Sequence, residues 1–98
     1  MKILVVNALN TSDKTPPAGY ASWIDFWNSK KGLKATKCRN CGKQTSDLVG
    51  SHVQHVREEG GKYYRVPGLY ITPLCYECNH PENDKAFWVD SEDLVSVL

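Results

Sequence analysis

Long apolar runs are missing from this chain, and their absence excludes helices that span a membrane. The run Ile3-Leu4-Val5-Val6 ends at Asn7, whereas a membrane helix needs about 18 or more consecutive apolar residues. The same run lacks the apolar length and the small-residue cleavage site of a secretory signal. We therefore expect a cytoplasmic protein without a membrane partner, in which disulfide bonds are disfavoured.

An excess of charge of one sign is also missing, because the formal net charge is +1. The charges are unevenly distributed: residues 1–49 carry eight Lys and Arg against three acids, and residues 50–98 carry four against eight. Such a balance does not predict binding of nucleic acid by charge alone. The basic region 30–43 is a candidate contact for DNA or RNA, and an evenly solvated surface is the alternative.

A large hydrophobic core is the third missing feature. A chain of 98 residues forms one domain that buries roughly 60 to 65% of the surface of its unfolded state. The chain has three tryptophans, which can fill such a core, and four cysteines. A small core together with four cysteines predicts a stabilising cross-link, either disulfide bonds or a bound metal ion.

One helix is predicted near the N-terminus. Ser22 and Asp25 form the pattern of a capping box, and Gly32 is typical of a helix end. The residues between them carry an aromatic face that includes Trp23 and Trp27. We interpret this face as core packing, and stacking on nucleic-acid bases is the alternative.

The rest of the chain predicts strands that alternate with turns. In order, these are a strand at 2–9, a hairpin of 48–57 and 63–66 with its turn at 58–62, a strand at 69–72, a loop or short helix at 79–85, and an extended segment at 86–89 before a final helix or turn. Pro81 is compatible with a helix only in its first turn.

The spacing of the cysteines is the most specific motif. Two residues separate Cys38 from Cys41, two separate Cys75 from Cys78, and thirty-three lie between the pairs. Two thiolates spaced in this way can bind one tetrahedral ion from a single tight turn, and two such turns close the site. The motif predicts a structural Zn²⁺ that stabilises the fold and does not activate water. Two disulfides, a redox dithiol and an iron site are the alternatives.

Two histidines lie in the predicted strand between the cysteine pairs. His52 and His55 would point to opposite faces of that strand, so they cannot easily act as a pair. The simple interpretation of both is a surface or hydrogen-bonded imidazole. The position of His52 between two cysteine turns makes it a candidate functional residue.

The chain resembles the zinc-containing branch of the HNH endonucleases. The resemblance rests on the Cys-x-x-Cys-Gly turn at 38–42, on Leu-Val-Gly-Ser-His-Val at 48–53, and on Ile-Thr-Pro-Leu-Cys-x-x-Cys-Asn at 71–79. It covers about residues 38–85. A narrower group of small proteins that carry Trp-Ile-x-x-Trp ahead of Gly-Ser/Ala-His-Val is similar throughout, with no activity attached.

The resemblance implies a fold and a division of the chain. The fold is an α+β, zinc-stabilised domain of the ββα-metal or treble-clef type, here with an N-terminal strand and an aromatic helix. In that family a hairpin and a helix hold a catalytic divalent ion, and a structural zinc ties the ends. Residues 1–98 then form a single domain, with the N-terminal strand, linker and helix in 1–37, an HNH-like core in 38–85 and a C-terminal extension in 86–98.

The resemblance also assigns roles, and this chain departs from two of them. His52 matches the general base, and Asn79 or His80 matches the last ligand of the catalytic metal. Ser51 stands where the family has Asp, Glu or His as a metal ligand, and Tyr70 stands where it has the Asn that orients the histidine. A hydroxyl is a weaker ligand for a hard cation than a carboxylate, so we expect the metal chemistry to be lost or weakened.

Two functions are therefore open. The first is a zinc-binding, HNH-like module that contacts nucleic acid or a protein partner and is not an enzyme. The second is an active endonuclease that hydrolyses phosphodiesters with His52 as general base and Mg²⁺, Mn²⁺ or Ni²⁺ as its catalytic ion. The altered ligands favour the first function.

Overall fold

Within the described residues, the fold consists of one α-helix and a six-stranded antiparallel sheet. The structure is a computed structural model that describes residues 1–11, 14–80 and 82–97. In chain order the elements are β1 (Lys2–Asn7), α1 (Trp23–Lys31), β2 (Leu48–Glu59), β3 (Lys62–Arg65), β4 (Tyr70–Cys75), β5 (Phe87–Asp90), a 3₁₀ turn (Ser91–Asp93) and β6 (Val95–Ser96). No helix in the described part of the chain is long and apolar enough to cross a membrane.

Helix α1 begins and ends where the sequence predicts. The Ser22 hydroxyl accepts a hydrogen bond from the backbone N–H of Asp25 at 3.1 Å, which satisfies one of the free donors of the first turn. Gly32 ends the helix at φ 68°, in the left-handed region that glycine adopts without steric cost. Phe26 and Trp27 are buried, so the aromatic face packs into the core.

Strand β2 is the centre of the sheet and forms a long hairpin with the two strands that follow it. Its first half pairs with β4 and its last residues pair with β3. The turn consists of Gly60 and Gly61, with φ values of 57° and 78°. Two consecutive positive φ values suit the tight turns that join twisted strands. The strand therefore runs to Glu59, two residues beyond its predicted end at 57.

The remaining strands lie on either side of this hairpin. The order across the sheet is β5, β1, β2, β4 and β6, and β3 pairs with β2 outside that order. β1 ends at Asn7 rather than at residue 9, and Asn10 adopts a positive φ of 57° that is incompatible with an extended strand. The core lies where α1 packs on β2 and β4, and Val53, Ile71 and Leu74 are fully buried there.

The sheet is more extensive than a ββα unit, and no α-helix follows Cys78 in the described residues. The carbonyl of Cys78 accepts hydrogen bonds from the side-chain amides of Asn7 at 2.9 Å and Asn83 at 3.1 Å. A continuing helix would need that carbonyl for its own backbone ladder. The segment after Cys78 is therefore a loop, while Pro81, predicted for a first turn, lies outside the described residues.

Candidate metal centre and adjoining cleft

The first cysteine turn lies between α1 and β2. A backbone bridge between Lys37 and Gln44 closes its base, and the N–H of Gly42 donates to the carbonyl of Cys38 at 3.0 Å. Gly42 has a φ of 79°, which explains why glycine follows the second cysteine. The N–H of Asn40 points at the Cys38 sulfur at 3.4 Å.

The second cysteine turn follows directly from the end of β4. Cys75 is the last residue of that strand, and the N–H of Asn79 donates to its carbonyl at 3.0 Å. The pairing of Leu48 with Cys75 brings the end of β4 beside the start of β2. The N–H of Arg39 donates to the carbonyl of Pro73 at 2.9 Å, which joins the first turn to the same strand.

These two turns bring the four predicted metal ligands together. The sulfurs of Cys38, Cys41, Cys75 and Cys78 all lie within 4.8 Å of one another, and those of Cys41 and Cys75 are 3.7 Å apart. Zn–S bonds of ~2.3 Å in a tetrahedron place neighbouring sulfurs about 3.8 Å apart. Four soft thiolate donors at this separation suit Zn²⁺, and a contraction of about 1 Å or less completes the tetrahedron.

The thiols differ in how readily they ionise. Burial opposes ionisation of Cys38, but hydrogen bonds from the backbone of Cys41, Cys75 and Asn40 lower its pKa to about 7. Burial raises the pKa of Cys78, and its sulfur neighbours raise it further. The first thiolate therefore forms easily, and its negative charge disfavours ionisation of the neighbouring thiols. A divalent cation would remove this repulsion because it stabilises all four negative charges.

Arg39 supports the first cysteine turn from the side of the core. Its Nε lies 3.3 Å from a carboxylate oxygen of Asp93, and its guanidinium carbon lies 5.3 Å from the ring centre of Trp27. The Trp27 indole N–H donates to the carbonyl of Asp93 at 3.0 Å. This network joins α1, the cysteine turn and the C-terminal residues. Because Arg39 is paired with Asp93, its positive charge is partly neutralised and contributes less to the basic region 30–43.

The residues of the predicted catalytic site lie around one cleft beside the four cysteines. The cleft has a volume of about 450 Å³, and its lining includes all four positions in question, Ser51, His52, Asn79 and His80. Tyr70 does not line it. That side chain is half-buried in β4, where Tyr70 pairs with Val53 and Ser96.

Trp23 covers His52 at the wall of the cleft. Their ring centres are 4.6 Å apart with planes at 79°. The Nε2 atom of His52 is buried and has no hydrogen-bond partner among the described residues. Burial lowers the pKa of His52, and the charge of Lys14 lowers it further. A neutral imidazole suits a general base, but the buried Nε2 atom is not placed to take a proton from water in the cleft.

The candidate ligands of a second metal are already engaged with protein atoms. The Ser51 hydroxyl donates to the side-chain oxygen of Asn79 at 2.5 Å. The Nδ1 atom of His80 accepts a hydrogen bond from the backbone N–H of Glu82 at 3.2 Å. Among the described residues, the four cysteines are the only group of three or more His, Cys, Asp or Glu side chains arranged to hold a metal ion.

Sequence reasoning missed residues that shape this cleft. Asn7 comes from β1, and its side-chain amide donates to the carbonyls of Cys78 at 2.9 Å and Asn83 at 3.2 Å. Arg65 comes from β3 and donates to the carbonyl of Asn7 at 3.1 Å. The available signal was the polar Asn7 that interrupts an apolar strand, since such a residue needs buried partners.

Four lysines remain at the surface of the basic region. Arg39 pairs with Asp93, and Lys43 lies 3.7 Å from Glu77. The other cations have no ion pair with the described residues; they are Lys30, Lys31, Lys34 and Lys37. They follow one another along the end of α1 and the segment that leads to the first cysteine turn.

Comparisons of the chain with protein-family models, with curated proteins and with solved structures found no match.

Proposed function

We propose that the four cysteines bind one structural Zn²⁺ and that this chain is a non-catalytic, zinc-stabilised module that binds nucleic acid. The convergence of four sulfurs within 4.8 Å of one another carries the zinc-binding part of this proposal. A site with four thiolate ligands has no open position for water or substrate, so its metal stabilises the fold. The ion would join residues 38–41 to residues 75–78 and supplement a small core.

Metal analysis tests the zinc site. We expect one zinc per chain after extensive dialysis, and we expect a strong chelator to unfold the protein, because structural zinc contributes on the order of 10 kcal/mol of folding free energy. Substitution Cys75→Ser should abolish both the zinc and the fold, whereas Ser46→Ala, at a nearby loop position, should change neither. A metal-free chain that stays folded would contradict the proposal.

The non-catalytic part of the proposal rests on the state of the cleft. His52 is covered by Trp23, and the oxygen of Asn79 is held by Ser51. A nuclease of this type needs an accessible base and a cation that stabilises the charge on the phosphate. Purified protein should therefore leave plasmid DNA and RNA intact in Mg²⁺, Mn²⁺ or Ni²⁺. Cleavage that disappears in His52→Ala would establish the endonuclease instead.

The four lysines that form no ion pair with the described residues support the choice of nucleic acid as partner, and one of them, Lys30, also lies 5.7 Å from the ring centre of Phe26. All four belong to the segment 30–37, which contains no acidic residue. Lysines arranged in this way contact phosphates without reading sequence, and each contact releases counterions. Four such contacts predict a slope of about −3.6 in a plot of log K against log salt concentration for duplex DNA.

A pair of charge-reversed variants tests this surface. The double substitution Lys30→Glu with Lys34→Glu should weaken DNA binding by about tenfold or more at low salt and reduce the salt slope by about 2. The matched control is Lys62→Glu with Lys85→Glu, which changes the net charge equally at other sites. Equal weakening by both pairs, or affinity that does not vary with salt, would contradict the proposed surface.

A further inference from the structure

One member of the four-cysteine cluster, which consists of Cys38, Cys41, Cys75 and Cys78, is open to solvent. Cys41 is exposed, whereas the other three are 1%, 3% and 9% exposed. A Cβ atom at the adjacent Gly42 would meet nothing within 4 Å beyond its chain neighbours, so solvent reaches this side of the turn. A small reagent in solution therefore meets the cluster first at Cys41.

The sulfur of this exposed residue contacts the other cysteine turn. The Sγ atoms of Cys41 and Cys75 are 3.7 Å apart, although 34 positions separate the two residues in the chain. Cys38, in the same turn as Cys41, is buried, and its sulfur accepts the N–H of Asn40 at 3.4 Å. A disulfide bond of about 2.05 Å between Cys41 and Cys75 requires their sulfurs to approach by roughly 1.7 Å. The pair across the two turns is therefore placed to react once one sulfur is oxidised.

Contacts that involve no cysteine side chain also join the two turns. The N–H of Arg39 donates to the carbonyl of Pro73 at 2.9 Å. The Nζ atom of Lys43, at the end of the first turn, lies 3.7 Å from a carboxylate oxygen of Glu77 in the second. These contacts hold the two turns side by side while the sulfurs exchange their partners.

We propose that a hydroperoxide oxidises the cluster at Cys41 and that the product is a disulfide bond between Cys41 and Cys75. The inference rests on the zinc-binding part of the proposed function, because it replaces a metal link between the two turns by a covalent one. Cys38 and Cys78 then remain as the only two thiolate ligands, which are too few to retain an ion that needs four.

The reaction takes two steps. The Cys41 thiolate attacks one oxygen of hydrogen peroxide, the O–O bond breaks and hydroxide leaves, so that Cys41 becomes a sulfenic acid. The Cys75 thiolate then attacks the Cys41 sulfur, the S–O bond breaks and a second hydroxide leaves. The two sulfurs together lose two electrons, the peroxide gains them, and each hydroxide takes a proton from the solvent.

Peptide mapping of the unmodified, zinc-loaded chain tests the pairing. The chain is treated with one equivalent of hydrogen peroxide, its remaining thiols are blocked with N-ethylmaleimide in denaturant, and it is digested without reduction. Trypsin cleaves between the two cysteines of the first turn, after Arg39, and a glutamyl endopeptidase cleaves between those of the second, after Glu77. Mass spectrometry should find segment 40–43 linked to segment 66–77.

The matched control is the same chain oxidised after it has been unfolded in urea with a chelator. Its four cysteines are no longer held together, so it should give a mixture of disulfides. This control separates the effect of the folded arrangement from the intrinsic reactivity of the thiols.

Zinc content provides the second readout. The chain should lose its zinc in step with disulfide formation, and a phosphine reductant with added Zn²⁺ should restore both thiols and metal. Zinc is also measured before peroxide is added. A chain that holds no zinc at that stage contradicts the proposed function, and this result is thereby distinguished from a failure of the oxidation.

Alkylation tests the order of attack without a substitution that removes a metal ligand. Iodoacetamide added to the folded, zinc-loaded chain should label Cys41 at least about tenfold faster than the other three cysteines, because access limits the reaction.

Each of several results would overturn the proposal. They are a disulfide within either turn as the main product, the same single disulfide from the unfolded chain, oxidation that leaves the zinc bound, a sulfinic acid that the reductant cannot reverse, and equal alkylation of all four cysteines.

Discussion

Gly50 determines how closely α1 approaches the sheet. A Cβ atom at this position would lie 2.5 Å from the backbone carbon of Trp23 and 2.6 Å from the backbone nitrogen of Ile24. Backbone atoms cannot rotate away as a side chain can, so the helix would have to move. We expect Gly50→Ala to lower the free energy of unfolding by about 1–3 kcal/mol or more, measured by urea denaturation of the zinc-loaded protein.

Gly32→Ala is the comparison that separates crowding from backbone strain. A Cβ at Gly32 would meet nothing within 4 Å, but its φ is 68°. The expected loss there is about 1 kcal/mol, from left-handed backbone alone. A loss at Gly50 no larger than that at Gly32 would show that α1 does not approach the sheet as closely as described.

The half-buried imidazole of His52 predicts a dependence of stability on pH. Burial, assisted by the charge of Lys14, lowers its pKa below 6.5, so the folded state favours the neutral form. The unfolded state takes up a proton as the pH falls below about 6.5, and stability contributed by the neutral form is lost through that range. Urea titrations between pH 7 and about 5.5 should show this loss, and His52→Gln should reduce it. An identical pH profile for the two proteins would contradict the assignment.

Individual residues differ in how far the sequence predicts their surroundings. The grouping of the cysteines follows from their spacing, because two-residue separations place sulfurs together within one turn. The contact between Trp23 and His52 could not be predicted from the sequence, since the two residues are far apart in it. They meet because Gly50, which has no side chain, lets α1 pack closely against β2. The role of Asn7 is hidden for the same reason, as its partners lie 71 and 76 residues away.

The cap of α1 gives a prediction at the scale of the element. Ser22→Ala removes the acceptor for the N–H of Asp25, and this should cost about 1 kcal/mol of stability. Ser29→Ala is the control, because Ser29 is exposed within the same helix and alanine is the better helix former there. Thermal unfolding of the two variants should therefore show a lower midpoint for Ser22→Ala only. A similar midpoint for both would show that the cap contributes nothing.

Elements with local signals are the ones that the sequence predicts well. The helix has its cap, its aromatic face and its terminal glycine within eleven residues, from Ser22 to Gly32. The segment after Cys78 carries no comparable signal, and its conformation depends on a hydrogen bond from Asn7 on a distant strand. The ββα expectation came from family resemblance rather than from local physics, and the described loop differs from it at this point.

Hydrogen exchange should divide the whole molecule into two parts. Val53 and Ile71 lie in paired strands and are fully buried, so their amides should exchange only through global unfolding. In the part of the chain that the structure describes, residues Lys62–Arg65 pair only with β2 and are exposed throughout. Their amides should exchange on the order of 100-fold faster, through local opening of the hairpin tip. Equal protection in both parts would contradict this division.

The arrangement of the whole sheet was beyond the sequence for a physical reason. Alternation of apolar residues predicts that strands exist, but it does not rank their possible neighbours. β1 lies between β2 and β5 because of pairings across 48 and 84 residues, those of Val6 with Gln54 and of Leu4 with Trp88.

The four-cysteine cluster lies at the open end of the long hairpin, where Leu48 pairs with Cys75, and the Gly60-Gly61 turn closes the other end. A slide of β4 along β2 by one residue would displace Cys75 by about 3.4 Å and turn its side chain to the other side of the sheet. A tetrahedral ion with bonds of ~2.3 Å cannot follow such a displacement. Bound zinc would therefore resist shear between the two strands, and shifted pairings that the bare chain can sample would be rejected because they cannot bind the ion.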